Sequence, residues 1–569
     1  MRKILAAVAI FFLLLSTFSI LAVTTKAATE EQIEEAIALG LEWLADEQNP
    51  DDGYWGESPE GYRVSKTALA VLKFETHAIQ NDIDPLDPSY YYYDQVRNGL
   101  DYIFSNAWTI SIGMQTHGNP DTRVNGLGVG FGTRRTYDTG IAMMAIAAST
   151  HPEMEVDVSG SAVDDWTYKE VVQDAVDYLA WGQTDGGVGR GGWNYAEMNN
   201  MEGRSDNSNS GYAVLGLAYA EANTIDGATG FGCSVPSFVK SELSFWIDWI
   251  QNDVDGDTND GGSGYDERGD DYWVNTLKTG NLLFEMAFYG DDTTVQRVTD
   301  AVDYIDRHWN DPDYIGWKGP GPGGDPSWPA CYQTMYCIMK GFEALGIDYI
   351  SPLNDPSGID WFDEFADALI LQQNVDGSWP NAPFFGAPDG QPWSWDTDQI
   401  LSTVWAMLTL QKAVVRPIIS VYVDIKPGSW PNPINKFSQG RFAVAICGTE
   451  DFDVATIDPV SVKLKIEGVE EGVSPLRWSY DDVATPYTGE PGGGHELDGD
   501  GYLDLVLFFD TQEAVSDLEL CEFEDGEVIT LIVAGNLHEE FGGTPIRGHD
   551  YVRIQMPKGK GPGLKGSPV

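Results

Sequence analysis

Residues 48–55 read Gln-Asn-Pro-Asp-Asp-Gly-Tyr-Trp and separate two segments with different helical patterns. Before them, residues 33–44 place their apolar side chains on one helical face. After them, residues 67–72 read Thr-Ala-Leu-Ala-Val-Leu and are apolar on nearly every side. An amphipathic helix buries one face, whereas an all-apolar helix is buried all round. The stretch therefore predicts a hairpin of an outer helix, an aromatic Asp/Gly loop and an inner helix.

The same order of segments occurs six times before residue 416. We predict the later outer helices near 94–106, 168–182, 236–251, 294–309 and 361–373, and their inner partners near 138–149, 209–221, 276–289, 331–345 and 397–412. The repeat is longer than that of common helical solenoids. Six such pairs favour a closed α/α toroid whose loops surround the mouth of a central cavity. The alternative is an open solenoid with polar end repeats, but the first and last repeats are as aromatic as the others.

The amino-terminal segment and the net charge indicate an exported protein. Met1-Arg2-Lys3 precedes an apolar run over residues 4–23, which predicts a signal peptide at 1–27. The run is also long enough to remain as an anchor. With 33 Lys+Arg against 89 Asp+Glu, the formal charge is −56, which disfavours nucleic acid and anionic membranes as partners. We expect a secreted or cell-surface protein without a membrane span after signal removal.

A second domain follows the sixth helical pair. Helical periodicity stops near residue 416, and short β-rich runs then alternate with Gly, Pro and Asp turns. We therefore predict a toroid over residues 28–416 and an all-β sandwich over 417–556. The tail, residues 557–569, is rich in Gly, Pro and Lys and is expected to be disordered.

The strongest local motif predicts a structural calcium site in the β domain. Glu496, Asp498, Asp500 and Asp504 lie in a Gly-rich loop before a strand. Together with the backbone carbonyl of Tyr502 they offer the oxygen ligands that calcium prefers. The alternative is a plain Asp/Gly turn.

A weaker motif of the same kind lies after the fourth outer helix. Asp253, Asp255, Asp257 and Asn259 alternate with other residues, but no bidentate glutamate follows at the expected place. This segment is either a second calcium site or an acidic loop insertion.

Aromatic and amide side chains are candidates for binding a sugar or an isoprenoid at the toroid mouth. Their alternative role is to pack neighbouring repeats together, as buried aromatic side chains do in many loops. The candidates are Trp193, Tyr195, Trp328, Tyr332, Gln333, Trp393 and Trp395.

Acidic residues at the starts of inner helices are candidate catalytic groups. Asp138, Asp396 and Asp398 would face the mouth, where burial can turn a carboxyl into a general acid. Asp138 with Asp398 could serve glycoside hydrolysis, which uses two carboxyl groups. The alternative is helix capping, the commonest role of Asp at such positions.

Three motifs resemble the prenyltransferase and squalene-cyclase repeat superfamily over residues 29–412. They are Gln-Asn-Val-Asp-Gly-Ser-Trp at 373–379, Gly-Gly-Trp-Asn-Tyr at 191–195 and residues 206–217. The resemblance implies the toroid and is less specific for activity. Its cyclases use an Asp-x-Asp-Asp acid motif, which residues 396–399 match except at Gln399. Its zinc-dependent members have a histidine where Gln333 stands, so no zinc is expected.

The β domain resembles an exported bacterial and archaeal module of unknown role over residues 421–555. The matching segments include Val-Asp-Ile-Lys-Pro-Gly-Ser at 423–429, residues 498–506 and Gly-Thr-Pro-Ile-Arg-Gly-His-Asp at 543–550. The resemblance implies a β-sandwich with a calcium loop.

Because both catalytic residue sets of the superfamily are incomplete, the sequence favours non-catalytic binding or scaffolding of an extracellular glycan, lipid or protein. The alternative is an extracellular enzyme that uses the toroid cavity. It would act on polysaccharide as a lyase or glycosidase, or on an isoprenoid with Asp398 as the acid. A cavity filled by side chains would favour binding, and two buried carboxyl groups about 5–10 Å apart would favour glycan cleavage.

Overall fold

The computed structural model describes residues 27–56, 62–254, 256–268, 274–311, 315–318, 329–381, 398–449, 452–466, 472–487, 493–538, 541 and 543–556. The apolar amino-terminal segment and the tail 557–569 lie outside these residues. So do the candidate residues Asp255, Trp328, Trp393, Trp395 and Asp396.

Residues 30–410 form six helical hairpins in the described part of the chain. In chain order they are α1 (Glu30–Asp46) with α2 (Arg63–Gln80), α3 (Tyr93–Ser105) with α4 (Thr136–Ala148), α5 (Tyr168–Gly182) with α6 (Asn207–Glu221), α7 (Ser237–Ile250) with α8 (Thr276–Tyr289), α9 (Gln296–Arg307) with α10 (Tyr332–Leu345), and α11 (Trp361–Gln372) with α12 (Gln399–Leu410). The odd-numbered helices are the predicted outer ones.

The even-numbered helices form a closed inner ring. Each contacts the next along the chain, from α2 to α4 and onward to α12, and α12 contacts α2. Two hydrogen bonds join the ends of the outer layer: Gln373 Nε2 donates to the Ala36 carbonyl at 2.8 Å, and the Ala28 backbone N–H donates to Asp367 Oδ1 at 2.8 Å. The toroid is therefore closed, and the open solenoid is excluded.

The two layers follow from the distribution of apolar residues. On α1 only one face is buried, whereas α4 is buried at every position except Tyr137. The inner helices are less uniformly apolar than the sequence suggested, because charged side chains are buried within them. These are Lys66, Lys73, Glu75, Asp138, Glu221, Lys278, Glu285 and Lys340.

Among the described connections of the toroid, three contain a short β-hairpin. Strands β1 (Ala107–Ser111) and β2 (Leu127–Phe131) pair antiparallel between α3 and α4. Strands β3 (Thr224–Ile225) and β4 (Ala228–Thr229) follow α6, and β5 (Tyr349–Ile350) and β6 (Ile359–Asp360) follow α10. The sequence analysis did not predict them.

In the described part of the carboxyl-terminal region the strands form two sheets. Its elements are β7 (Ile419–Ser420), β8 (Val423–Ile425), β9 (Pro433–Asn435), β10 (Arg441–Ile446), β11 (Ile457–Lys465), β12 (Arg477–Asp481), β13 (Asp504–Asp510), α13 (Thr511–Asp517), β14 (Val528–Leu537) and β15 (Pro545–Gln555). One sheet has the order β12-β13-β10-β8. The other has the order β11-β14-β15-β7, with β9 also on β15. Side chains of both sheets, such as Leu507 and Val533, share one hydrophobic cluster.

Polar contacts connect this β region to the toroid. Lys240 Nζ donates to the Ile418 carbonyl at 2.7 Å and to Glu221 Oε1 at 2.9 Å. Among the helices that the structure describes, none has the length and apolar composition needed to cross a membrane. All five cysteines fall within the described residues, and none forms a disulfide.

Candidate functional site

The loops at one end of the ring are held by a repeated glutamine contact. After each of four outer helices, a glutamine side-chain amide donates to a glycine carbonyl of its own loop and to a carbonyl in the amino-terminal half of the next outer helix. The pairs of acceptors are Gly53 and Gln95 for Gln48, Gly191 and Val239 for Gln183, Gly261 and Arg297 for Gln251, and Gly377 and Ala36 for Gln373. These loops therefore join neighbouring hairpins.

The loop glycines allow close approach to the next helix. Gly191 has φ +85°, and a Cβ there would lie 1.9 Å from the Glu242 carbonyl oxygen. Gly377 has φ +91°, and a Cβ there would lie 2.2 Å from the Leu39 carbonyl oxygen. Positive φ and backbone contact both require glycine.

The loop tryptophans are core residues. The indole N–H of Trp193 donates to the Leu179 carbonyl at 2.8 Å, and the side chain is fully buried. Trp379 makes the same bond to Leu369, and Trp55 to Leu44. The interpretation of Trp193 as a stacking platform at the mouth is therefore wrong, because its ring is enclosed between the outer and inner layers.

A cluster of aromatic rings and one arginine lies at the same end of the ring; we call Tyr62, Arg134, Tyr137 and Tyr195 the rim cluster. The ring centroid of Tyr137 lies 6.4 Å from that of Tyr62 and 6.3 Å from that of Tyr195. The Arg134 guanidinium lies 4.7 Å from the Tyr62 centroid and 5.6 Å from the Tyr195 centroid. All four side chains are half-buried, so each keeps a surface open to solvent.

Asp138 lies directly next to the rim cluster. Its Oδ1 accepts a hydrogen bond from the Ser65 hydroxyl, and its Oδ2 accepts one from the Arg134 backbone N–H at 2.8 Å. Burial raises the pKa of Asp138 to about 6, although these hydrogen bonds favour the ionised form. Gly132 covers Oδ2 so closely that a Cβ there would lie 2.2 Å away. A thin layer of backbone thus separates the carboxyl from the mouth.

Asp398 caps α12 and forms an ion pair. Its Oδ1 accepts the Ile400 backbone N–H at 2.9 Å, as expected of a helix cap, and its Oδ2 pairs with Lys66 Nζ. Ser65 and Lys66 are consecutive residues of α2. The start of α2 therefore binds two of the three predicted catalytic acids, Asp138 through Ser65 and Asp398 through Lys66.

The lumen beneath the mouth is filled by side chains from non-adjacent helices. Lys340 on α10 lies 5.5 Å from the Tyr212 ring centroid on α6, although α8 separates these helices in the ring. Lys340 also lies 4.8 Å from the Tyr336 centroid and donates to Asn281 Oδ1 at 3.0 Å. The indole of Trp405, on α12 across the ring, lies beside the Tyr212 hydroxyl. The described side chains of these helices therefore occupy the lumen beneath the mouth.

The remaining mouth candidates occupy different positions. Tyr332 is fully buried, and its hydroxyl donates to Gln372 Oε1 at 2.8 Å at the end of α11. Its assignment to the cavity is therefore wrong, because the side chain reaches the outer layer. Gln333 is buried next to it, and its Oε1 has no hydrogen-bond partner in the part of the chain that the structure describes.

The predicted calcium loop is exposed except at its last residue. Glu496, Asp498, Asp500 and Tyr502 are exposed, whereas Asp504 is fully buried on β13. Asp504 Oδ2 accepts the backbone N–H groups of both Val483 and Ala484 at 2.8 Å, and its Oδ1 accepts that of Gly448 at 3.1 Å. Within the described ranges, no three His, Cys, Asp or Glu side chains are grouped as ligands of one ion.

Two further aspartates lie close to Asp504. Asp550 Oδ2 accepts the Ile425 backbone N–H at 2.7 Å and the Asn432 side-chain amide at 2.8 Å. Asp424 is nine-tenths buried, and its Oδ2 has no hydrogen-bond partner among the described residues. Burial, followed by the charges of Asp550 and Asp504, raises the pKa of Asp424 to about 7. Asp424 and Asp550 lie in segments 423–429 and 543–550, whose sequence alone predicts no role for either carboxyl.

The second acidic loop is held by hydrogen bonds within the protein. Asp253 Oδ1 pairs with an Arg268 guanidinium nitrogen at 3.0 Å. Asp257 Oδ1 accepts the Asn259 backbone N–H at 3.1 Å. The calcium assignment here stays a prediction.

Sequence reasoning missed Ser65, Lys66, Tyr62 and Arg134. A lysine at the start of an otherwise apolar inner helix was an available signal, because a buried lysine requires an acidic partner. Tyr62 and Arg134 carry no distinguishing pattern in the sequence.

No family model matches the chain, and no curated protein matches it. Among solved structures, the chain is similar to the α-1,6-mannanase GH76A of Salegentibacter sp. HEL1_6, with 13% sequence identity and a TM-score of 0.39 over 67% of this chain and 98% of that chain. It is also similar to a family 15 glycoside hydrolase, the glucoamylase of Hypocrea jecorina, with 10% identity and a TM-score of 0.35 over 93% of this chain and 100% of that chain. The assignment of the toroid here rests on the helix contacts described above.

Proposed function

We propose that the toroid acts on a polysaccharide at its mouth, with the rim cluster holding the glycan and Asp138 acting as the general acid. The observation that carries this proposal is a carboxyl with a pKa of about 6 that accepts the backbone N–H of Arg134, a member of the half-buried rim cluster. A deeper site is not supported, because side chains fill the lumen.

The rim cluster has the chemistry of a sugar-binding surface. Tyrosine rings present an apolar face and a polar hydroxyl, which suit the C–H and O–H groups of a pyranose. The Arg134 guanidinium adds several N–H donors next to these rings. The acidic character of the protein as a whole favours a neutral or basic glycan over an anionic one.

Asp138 and Asp398 divide the chemistry of hydrolysis between them. Protonated Asp138 gives its proton to the glycosidic oxygen as the bond from that oxygen to the anomeric carbon breaks. Water adds to the anomeric carbon and gives its proton to a carboxylate. Asp398 is the candidate for that carboxylate, since its Oδ2 forms an ion pair with Lys66. The same ion pair argues against Asp398 as the proton donor of an isoprenoid cyclase.

Asp138→Asn is expected to reduce polysaccharide cleavage by about 10²–10⁴-fold, because the amide cannot donate the proton. Cleavage by the unaltered protein should fall as the pH rises through about 6, the pKa at which Asp138 loses its proton. The measurement is release of reducing ends from a panel of neutral polysaccharides across a pH series.

Asp177→Asn is the matched control. Asp177 is also buried with a pKa raised to about 6 by its burial, but its partners are Thr122 and Arg123, away from the inner-helix starts. Cleavage should survive this change. Equal losses in both variants, or cleavage that persists in Asp138→Asn, would contradict the role of Asp138.

Non-catalytic glycan binding is the second candidate. Two observations favour it. The Gly132 backbone packs against Asp138 Oδ2, and hydrogen bonds already occupy both oxygens of this carboxyl. In that case no polysaccharide is cleaved, glycan binding survives Asp138→Asn, and binding falls when Arg134 and Tyr195 are replaced by alanine. Calorimetric titration of a glycan into Asp138→Asn and into Arg134→Ala/Tyr195→Ala distinguishes the two functions.

We further propose that the protein is exported and that its β region binds a structural calcium ion at residues 496–504. The spacing of the loop acids supports this, with Glu496, Asp498, Asp500, Asp504 and the Tyr502 carbonyl as ligands. The buried, unpartnered Oδ2 of Asp424 near Asp504 fits a nearby cation, since one would offset the repulsion among these carboxyls.

Calcium is expected to slow hydrogen exchange in β13, which begins at Asp504, and a chelator should reverse the effect. Mass spectrometry of peptides that cover residues 504–510 measures this locally. A ligand at 100 times its Kd stabilises the folded state by about 2.7 kcal/mol. For amides that exchange only when the structure opens, this corresponds to an exchange rate about a hundredfold lower. The response should disappear in Asp498→Asn/Asp500→Asn and persist in Asp253→Asn/Asp257→Asn. Identical exchange with calcium and with chelator would refute the proposal.

A further inference from the structure

Strand β12 is an exposed edge strand. It pairs with β13 at the end of its sheet, and no other described strand pairs with it. All five of its residues, Arg477–Asp481, are exposed. An uncovered strand edge presents backbone N–H and C=O groups that can pair with another strand.

The aromatic residues of β12 extend the core face of the sheet. Trp478 pairs with Leu507 and Tyr480 with Leu505, and both leucines are fully buried. Residues opposite each other in an antiparallel pair share a face. Trp478 and Tyr480 are nevertheless 42% exposed each. The hydrophobic face therefore continues past the end of the module's own core.

The sequence of β12, Arg-Trp-Ser-Tyr-Asp, is complementary to itself in the antiparallel direction. In a pairing centred on Ser479, Arg477 stands opposite Asp481 of the second strand, and Trp478 stands opposite its Tyr480. The two-fold symmetry creates each of these pairs twice. Opposite charges and aromatic pairs are both favourable cross-strand neighbours.

We propose that β12 pairs antiparallel with β12 of a second copy of this chain, so that the two sheets join into one across a two-fold axis at Ser479. This symmetric pairing satisfies the free edge and places Trp478 of each copy beside Tyr480 of the other. A parallel pairing would place Arg477 against Arg477 and is disfavoured by charge. An unrelated strand or a glycan would leave the end charges of β12 without matched partners.

The test measures molar mass by light scattering across a concentration series of the whole protein. The expected result is a concentration-dependent mass of two chains. Measurement at 0.15 M and 1 M salt is needed, because the Debye length falls from about 8 Å to about 3 Å and long-range repulsion between two acidic chains is screened. A monomer at both salt concentrations overturns the proposal.

Charge reversal tests the register. Arg477→Asp and Asp481→Arg each make both end pairs repulsive and should raise the dimer Kd at least tenfold, whereas the double variant Arg477→Asp/Asp481→Arg should restore it. Arg441→Asp is the matched control: Arg441 is exposed and, like Arg477, lies over the Phe508 ring, but it is on the interior strand β10. A dimer that survives both single variants, or a double variant as weak as the singles, overturns the proposed pairing.

A second pair of measurements separates loss of pairing from loss of folding. Each variant should keep the far-ultraviolet circular dichroism and melting temperature of the unaltered protein, since all the altered side chains are exposed. Trp478→Ser/Tyr480→Ser should also be monomeric. If the protein stays monomeric and a glycan quenches the fluorescence of Trp478, the aromatic face binds carbohydrate and the proposal is overturned.

Discussion

Replacing Trp379 with alanine is expected to lower the free energy of unfolding of the toroid by about 3–5 kcal/mol. The side chain is fully buried, and its indole N–H donates to the Leu369 carbonyl at 2.8 Å. Its ring also contacts Gly40 on α1, the first helix. The substitution therefore opens a cavity at the seam between the last and first hairpins. Denaturant unfolding followed by helical circular dichroism measures the change.

The loss of unfolding free energy in Trp379→Ala is to be compared with the loss in Trp193→Ala. Trp193 has the same burial and the same indole contact, but it lies within the ring, between the third and fourth hairpins. In a closed ring the two substitutions should have similar costs, since every hairpin has two neighbours. A much smaller cost for Trp379→Ala would mean that the seam contributes little. Trp379→Phe, which keeps most of the ring, should cost less than Trp379→Ala.

Glu285→Gln is expected to stabilise the protein at pH 8 and to leave its stability at pH 5 nearly unchanged. Glu285 is fully buried on α8, and neither carboxyl oxygen has a hydrogen-bond partner of normal geometry among the described residues. Burial raises the pKa of Glu285 from 4.5 to about 8, although the neighbouring Trp246 indole and Lys340 ammonium favour ionisation.

The pH dependence of the stability follows from the difference in proton binding between the folded and unfolded states. The folded state holds the Glu285 proton more tightly than the unfolded state, so its stabilising effect is complete below pH 4.5 and is lost as the pH rises towards 8. The loss by pH 8 is on the order of 4 kcal/mol, since one pKa unit corresponds to about 1.4 kcal/mol. Glutamine is uncharged at every pH and removes this dependence.

The measurement is the melting temperature of both proteins from pH 5 to pH 9. Glu34→Gln, on the exposed face of α1, is the control for removing one negative charge, and its melting curve should keep the pH dependence of the unaltered protein. Parallel curves for the unaltered protein and Glu285→Gln would show that this carboxyl is not the group that titrates.

The toroid was predictable because each hairpin repeats the same contrast between its two helices. One helix has a single apolar stripe, as residues 33–44 do, and the next is apolar all round, as residues 67–72 are. The hairpin of β1 and β2 escaped this reasoning because Leu127–Phe131 reads Leu-Gly-Val-Gly-Phe, which has few β-branched residues and no polar alternation.

The site was predictable only in part, because sequence identifies candidate groups and not their neighbours. Asp138 and Asp398 were recognised from their places at inner-helix starts. The partner of Asp138, Ser65, lies on the preceding hairpin. The partner of Asp398, Lys66, lies on the first hairpin, which only closure of the ring brings next to the last one. Trp193 was misassigned because a loop tryptophan can face solvent or core, and the Leu179 carbonyl that fixes its direction is a backbone atom common to every residue type.

The hydrogen bond from Gln373 to Ala36 joins positions 337 residues apart. At synthesis rates of about 5–20 residues per second, α1 leaves the ribosome roughly 20–70 s before the chain that completes its contacts. During that interval the face of α1 around Ala36 and Gly40 lacks its final neighbours Gln373, Trp379 and Met407 from the sixth hairpin, and its apolar surface is open to aggregation. The order of assembly is thus opposite to that of a linear repeat array, in which early units become complete first: here the first helix to be made is among the last to be covered.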